Sequence, residues 1–233
     1  MAAELPKDAN AVPVITIDGP SGAGKGTIAE KLAERLGFHL LDSGAVYRAA
    51  AVQAIRAGAD LDNEASVLAA LEPSAMRFEP GEGGVRVWLG AEDISGELRT
   101  EGTAAGASRV AVMPELRQRL LPQQRSFRRA PGLIADGRDM GTVVFPDATL
   151  KVFLSASAEV RARRRLRQLR EKGEHAREAD VIVEIRQRDE RDARRVHAPL
   201  LVAEGALEID SSDLSIDAVV ERVLAAYRGF SQI

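Results

Sequence analysis

Residues 14–27 read VITIDGPSGAGKGT, a β-branched apolar run that meets a glycine-rich loop without a break. Val14–Asp18 has the composition of a buried strand, and Ile28–Leu36 has the apolar spacing of an amphipathic helix. The chain is therefore expected to run strand, loop, helix, with the helix starting near Gly26. Gly19, Gly22 and Gly24 remove the side chains that would keep the backbone from curling around an anion. The freed N–H groups then converge, and the helix adds its positive N-terminal dipole. Lys25 supplies a mobile cation for a polyphosphate. The general pattern G-x-x-x-x-G-K-[ST] sets a hydroxyl directly after the lysine. Here Gly26 stands there, and Thr27 carries the hydroxyl expected to meet Mg²⁺.

Further apolar runs alternate with helical patterns. Phe38–Asp42, Gly132–Asp136, Thr149–Leu154 and Ala206–Asp210 read as strands. Ser43–Arg48 opens a helix expected to reach about Ala57. Continuous apolar strands interleaved with helices predict an α/β fold, a five-stranded parallel sheet flanked by helices. Ser215 is expected to cap the last helix, with Leu214 and Val219 as a hydrophobic staple and Gly229 as its end. Residues 73–105 break the rhythm. Met76–Pro80 and Val85–Leu89, joined through Gly81–Gly84, read as a hairpin, and Glu92–Ile94 as a third short strand. This is a small antiparallel β insert, expected to form a lobe of its own. The remaining core is 12–72 and 106–233, and residues 1–11 are expected to be disordered.

Composition narrows the class. The chain has 233 residues, 45% hydrophobic and 29% charged, enough for one globular unit with a real core. Cysteine is absent, so disulfides and thiolate metal sites are excluded, and a reducing, cytoplasmic setting is expected. The first residues lack the pattern of a secretory signal, and no run approaches the ~20 apolar residues of a membrane helix. A net charge of −3 argues against a nucleic-acid partner. Positions 159–195 hold 13 Lys/Arg against 9 Asp/Glu, so +4 here leaves −7 elsewhere. Most of these charges suit solvated helix faces. Two basic helices joined by the turn Glu171–His175 also suit a short helical lid over about 161–192, with Arg161 and Arg165 on one face.

In such a sheet ligands bind beyond the carboxyl ends of the strands. Asp42, Ser43, Tyr47 and Arg48 follow the second strand, and Asp136 to Gly141 the third. Arg48 and Arg138 are candidates for gripping an anion through their forked donors. Asp136 ends an apolar strand, where an acid either orders Mg²⁺ through water or simply ends a turn; spacing does not separate the two. Arg188, Asp192 and Arg195 share one helical face, which on spacing alone favours a surface ion-pair stripe. His39, His175 and His197 are scattered, and no zinc spacing or nucleophile elbow is present.

GPSGAGKGT (19–27), LLDSGAVYR (40–48), SGELRT (95–100), LIADGRDMGTVVFPDA (133–148) and RDERDARR (188–195) together resemble the bacterial cytidylate kinases, from about Val14 to Tyr227. The K-G-T ending of the loop fits the nucleoside monophosphate kinases better than the GTPases. The resemblance implies phosphoryl transfer from ATP to CMP or dCMP, with Mg²⁺, in a monomer acting on small molecules only. It implies that Gly19, Pro20, Ser21, Gly22, Ala23, Gly24, Lys25, Gly26 and Thr27 hold the ATP phosphates. Ser108, Arg117 and Asp139 would read the cytosine edge, and Arg188 and Asp192 would hold the ribose. Arg48, Arg138 and Arg195, with Ser43 close by, would grip the acceptor phosphate. It also reverses the spacing-only reading of the late helix. Competing readings are a kinase for AMP, UMP or shikimate, a nucleotide switch, and an RNA binder. The insert and the 136–141 motif weigh against the first, the lack of N-K-x-D against the second, and the charge against the third.

Overall fold

The computed structural model describes residues 12–81, 84–171, 173 and 176–231. Five parallel strands form the central sheet, numbered in chain order: β1 (Val14–Asp18), β2 (His39–Asp42), β6 (Leu133–Gly137), β7 (Leu150–Ser155) and β8 (Leu207–Asp210). Their spatial order is β2-β6-β1-β7-β8, so the chain crosses over and β1 lies at the centre. All five predicted strands are present. The helices are α1 (Lys25–Leu36), α2 (Ser43–Arg56), α3 (Glu64–Ala70), α4 (Glu101–Val110), α5 (Pro114–Arg125), α6 (Ala158–Glu171), α7 (Glu178–Ala193) and α8 (Ile216–Ser231).

The strand pleat sorts the core into two layers. Ile15 and Ile17 of β1 pack with Ile28 and Leu32 of α1, Ile134 of β6, and Val219 and Val223 of α8. Val14, Leu133 and Ala135 face the other way, onto Val46 and Ala50 of α2 and Leu116 and Leu120 of α5. A third, separate cluster joins Ala162, Leu166 and Leu169 of α6 to Val181 and Ile185 of α7. These two basic helices therefore hold each other through their own apolar seam.

The insert forms a three-stranded antiparallel sheet, β3 (Met76–Gly81), β4 (Gly84–Leu89) and β5 (Glu92–Asp93). Its Met76, Val87 and Ile94 join the α2 and α5 layer, so its apolar face shares the main core. Arg56 of α2 clamps it from outside with two bonds of 2.8 Å to Glu92. Helix α4 runs unbroken across residue 105, where the expected insert ends. The predicted loops at 171–175 and 81–84 lie partly outside the described residues, and 1–11 and His175 lie wholly outside them.

Two helix ends differ from expectation. α1 begins one residue early, at Lys25, with Gly24 as its cap. Gly229 does not end α8, which continues to Ser231. A glycine in a helix costs only about 1 kcal/mol, too little to stop a helix anchored by the buried stripe Val219, Val220, Val223 and Leu224. The expected cap is present: Ser215 Oγ accepts from the Ala218 N–H at 3.1 Å, and Leu214 packs on the cluster containing Val219.

Candidate active site

The loop between β1 and α1 has the shape its glycines demand. Gly22 and Gly24 lie at φ +80° and +97°, conformations that side chains resist. Helices α2, α3 and α4 take side-chain caps from Asp42, Asn63 and Thr100, whereas α1 has none. Its first N–H groups are left to an anion. Lys25 is buried and folds back over the loop, donating to the Pro20 carbonyl at 3.1 Å. Its Nζ lies 3.8 Å from Asp136 Oδ1.

The pleat explains that pairing. Asp136 follows Ala135, so it turns to the α1 face of the sheet. The start of α1 packs against it: a Cβ on Gly26 would lie 3.6 Å from Asp136 Oδ2, an ordinary contact distance. Burial pushes the Asp136 carboxyl above its ordinary range, against the pull of Lys25. Burial, then the charge of Arg138, pushes the Lys25 ammonium down. Each group favours the other's charged form against that burial. Thr27 is exposed on the first turn of α1. A hydroxyl and a carboxylate are hard oxygen donors of the kind Mg²⁺ takes. Among the described residues no group of three or more His, Cys, Asp or Glu converges as a metal cage.

A cleft of about 950 Å³ opens in front of this loop. Ser21, Gly24 and Thr27 line one wall; Arg48, Asp136, Ser108, Arg188 and Arg191 line the rest, with Arg161, Arg164 and Arg165 from α6. Asp42 caps α2 through the Ala45 N–H and accepts from Arg48 at 2.7 Å, which sets Arg48 at the mouth. Asp192 is almost fully buried and bridges two arginines, accepting from Arg138 Nε at 2.8 Å and from Arg195. Burial alone would raise its carboxyl, but Arg138 and Arg195 hold it below its usual range. Burial and the nearby Arg138 lower Arg188 to about 10. Its Nε is buried without a partner, as is that of Arg195. Arg117 and Asp139 form a buried ion pair, with the Arg117 guanidinium over the Tyr47 ring at 5.4 Å. Ser43 is buried at the start of α2, facing the turn at Gly137.

A family model described as cytidylate kinase matches residues 15–229. A cytidylate kinase of Pseudomonas aeruginosa strain UCBPP-PA14 is 53% identical over 216 residues, which is 92% of this chain and 94% of that protein.

The chain belongs to the cytidylate kinase family.

A cytidylate kinase of Vibrio parahaemolyticus is likewise 54% identical over 212 residues, 91% of this chain and 94% of its own length. Among solved structures, shikimate kinase from Bacteroides thetaiotaomicron aligns at a TM-score of 0.47 with 18% identity, over 93% of this chain and 98% of that one. The family's expected phosphate-loop residues run from the turn between β1 and α1, residues 19–24, onto the first turn of α1, residues 25–27. Arg138 and Arg195 share Asp192 as an ion-pair partner, Arg48 pairs separately with Asp42, and Arg188 lies close enough to Arg138, Asp192 and Arg48 to feel their charges.

Two expected ATP contacts are otherwise engaged. Arg161 is 5% exposed and spends its donors on the Ala156 and Ser21 carbonyls and, bidentately, on Asp189. It braces the loop at the Ser21 carbonyl. Arg165 pairs with Glu101 at the start of α4. Residues not picked out from the sequence share this bracing. Arg164 donates to the Ala23 carbonyl at 3.0 Å and to the Ser211 carbonyl at 2.7 Å, and buried Ser211 donates to Ala23 at 3.1 Å. Arg191 of α7 donates to the Ser108 hydroxyl at 3.1 Å. Nothing local in the sequence distinguishes Arg164 or Arg191 from their basic neighbours. Position after a strand would have drawn attention to Ser211, and to Asp18.

Proposed function

We propose that this cytidylate kinase moves the γ-phosphoryl group of ATP to CMP or dCMP, giving ADP and CDP or dCDP. The observation that carries it is a cleft at an uncapped helix start that Arg48 and Arg188 line, with Lys25 and Arg138 close enough to act on Arg188 by charge and Arg195 tied to Arg138 through Asp192. The acceptor phosphate is already an anion at neutral pH, so the reaction needs no strong general base. The barrier is repulsion between two anions and the need for in-line approach. Arg48, Arg138 and Arg195 would hold the acceptor phosphate, and Lys25 with the loop N–H groups the β- and γ-phosphates. Thr27 and Asp136 would hold Mg²⁺. When bound, Mg²⁺ neutralises charge on the phosphates of ATP. Asp139 would accept from the cytosine 4-amino group while Arg117 donates to the ring carbonyl or N3, with Ser108 at the same edge. Uracil carries a carbonyl where cytosine has its amine, so it would set acceptor against acceptor. The ribose falls to Arg188 and Asp192.

Residues 73–105 would close as the acceptor lobe, and α6 with α7 as a lid that excludes water. Among the described residues no helix is long and apolar enough to cross a membrane. A monomer working in the cytoplasm on free nucleotides is the setting we propose. The test is ADP release from ATP and Mg²⁺ with CMP, dCMP, UMP, AMP and GMP offered separately. Turnover confined to CMP and dCMP is expected. Turnover with another acceptor would keep the kinase and discard the Ser108–Arg117–Asp139 reading. No turnover with any of them would overturn the proposal.

A further inference from the structure

Asp18 is the last residue of β1 and the residue immediately before the phosphate loop. By the pleat its side chain shares a face with Val14 and Thr16, away from Lys25. It is 3% exposed, and both carboxylate oxygens are used. Oδ1 accepts from the Met140 N–H and Oδ2 from the Gly141 N–H, each at 2.8 Å. Those two donors begin the single π-helical turn Met140–Val144 that follows Arg138 and Asp139, closed by the Phe145 N–H donating to the Met140 carbonyl at 2.7 Å. The register already sets Asp18 beside Gly137 on neighbouring strands. The turn lies flat on β1 as well. A Cβ on Gly141 would come within 2.9 Å of Thr16 Oγ1, and one on Gly137 within 2.7 Å of Ser43 Oγ.

We propose that Asp18 is a positioning residue that clasps the turn after Arg138–Asp139 to the base of the phosphate loop, fixing where the acceptor's phosphate and base are held. Such a bidentate charge-assisted clasp is stronger than neutral bonds to the same N–H groups. It leaves the chain one path out of β6. Along that path Arg138 meets Asp192 and Asp139 meets Arg117. The donor and acceptor subsites thereby share one rigid joint, and an in-line reaction depends on their relative placement. The inference rests on the acceptor roles proposed above for Arg138 and Asp139.

Asp18→Asn keeps the shape but turns one acceptor into a donor facing a backbone N–H. The expected result, in the full-length enzyme, is a KM for CMP raised about tenfold or more and a kcat lowered by a similar factor. The calorimetric Kd for ATP should stay within about twofold, and the preference for CMP over UMP should fall, which loss of general stability would not produce. CMP parameters and preference close to wild type, or ATP affinity lost in equal measure, would overturn the clasp. If the variant does not fold, hydrogen exchange in the ligand-free wild type decides. Met140 and Gly141 amides exchanging as slowly as those of β1 support it, and exchange as fast as exposed loops overturns it. A wild type inert toward every monophosphate would overturn the acceptor reading, and the clasp's role with it.

Discussion

Asp18 ends β1 and Asp136 stands one residue before the end of neighbouring β6, one register step apart, and the pleat sends them to opposite faces of the sheet. One grips a backbone turn, and the other faces Lys25 across 3.8 Å. Their titration carries a sign. Burial raises the Asp18 carboxyl from 3.8 to about 6 in the folded protein. Between those values the folded state holds more protons than the unfolded one, so the contribution of Asp18 to stability falls as pH rises through that window. A two-unit shift corresponds to about 3 kcal/mol. Urea unfolding of the wild type and Asp18→Asn at several pH values between 4 and 7 isolates this term. The wild type should lose ground to the variant by up to about 3 kcal/mol as pH rises. Lys25→Ala is expected to lower kcat by about 10²–10³-fold or more, as loss of a charge on the transferring group does, with the thermal midpoint near wild type. Arg138→Ala should raise KM for CMP far more than it changes ATP binding. Equal losses would remove it from the acceptor phosphate.

At the scale of elements, each helix start shows what it is for. Helices α2, α3, α4 and α8 are closed by side chains, and α1, at the glycine-rich loop, is not. The Ser215 cap of α8 is expected to serve stability alone. Ser215→Ala removes the bond to the Ala218 N–H, with an expected cost of about 1 kcal/mol in chemical unfolding and kcat unchanged. A drop in kcat would show that α8 transmits strain to the phosphate loop through its packing on α1. The phosphate loop itself is braced by donors far along the chain, with Arg161, Arg164 and Ser211 bonding its carbonyls at Ser21 and Ala23. Charge and spacing predicted two basic helices, with Arg161 and Arg165 on one face, but not the partners those arginines take. Arg161 and Arg165 sit at the expected helical spacing, and their tertiary partners, Asp189 and Glu101, lie 28 and 64 residues away.

Over the whole molecule, two ties cross the cleft from the basic helices to α4: Arg165 to Glu101 and Arg191 to Ser108. The first is partly solvent-exposed, so its net worth is at most about 1 kcal/mol and salt weakens it. Glu101→Gln should release Arg165 toward the ATP phosphates and lower KM for ATP about two- to fivefold at low ionic strength, the difference fading in high salt. An unchanged KM at low salt would show that Arg165 makes no phosphate contact. The insert is bound to the framework by Arg56 on one side and by shared core packing of Met76 and Val87 on the other. If the proposed lobe closes, this packing favours a tilt of a packed body over the swing of a free flap.

The strand–loop–helix unit, the five parallel strands, the antiparallel insert and the phosphate loop were legible in the amino-acid sequence. Each rests on local chemistry: glycine at positive φ, β-branched runs, and apolar spacing at the helical period. The long motifs carried the family as well. Tertiary structure alone decided which charges are partners. Asp192 joins Arg138 to Arg195, Arg164 braces Ala23, and Asp18 reaches Met140 and Gly141, across separations of up to 141 residues. An ion pair or a clasp has no period and no composition of its own. It exists only where the sheet order, which sets β6 and β7 on either side of β1, brings distant segments within a few ångströms.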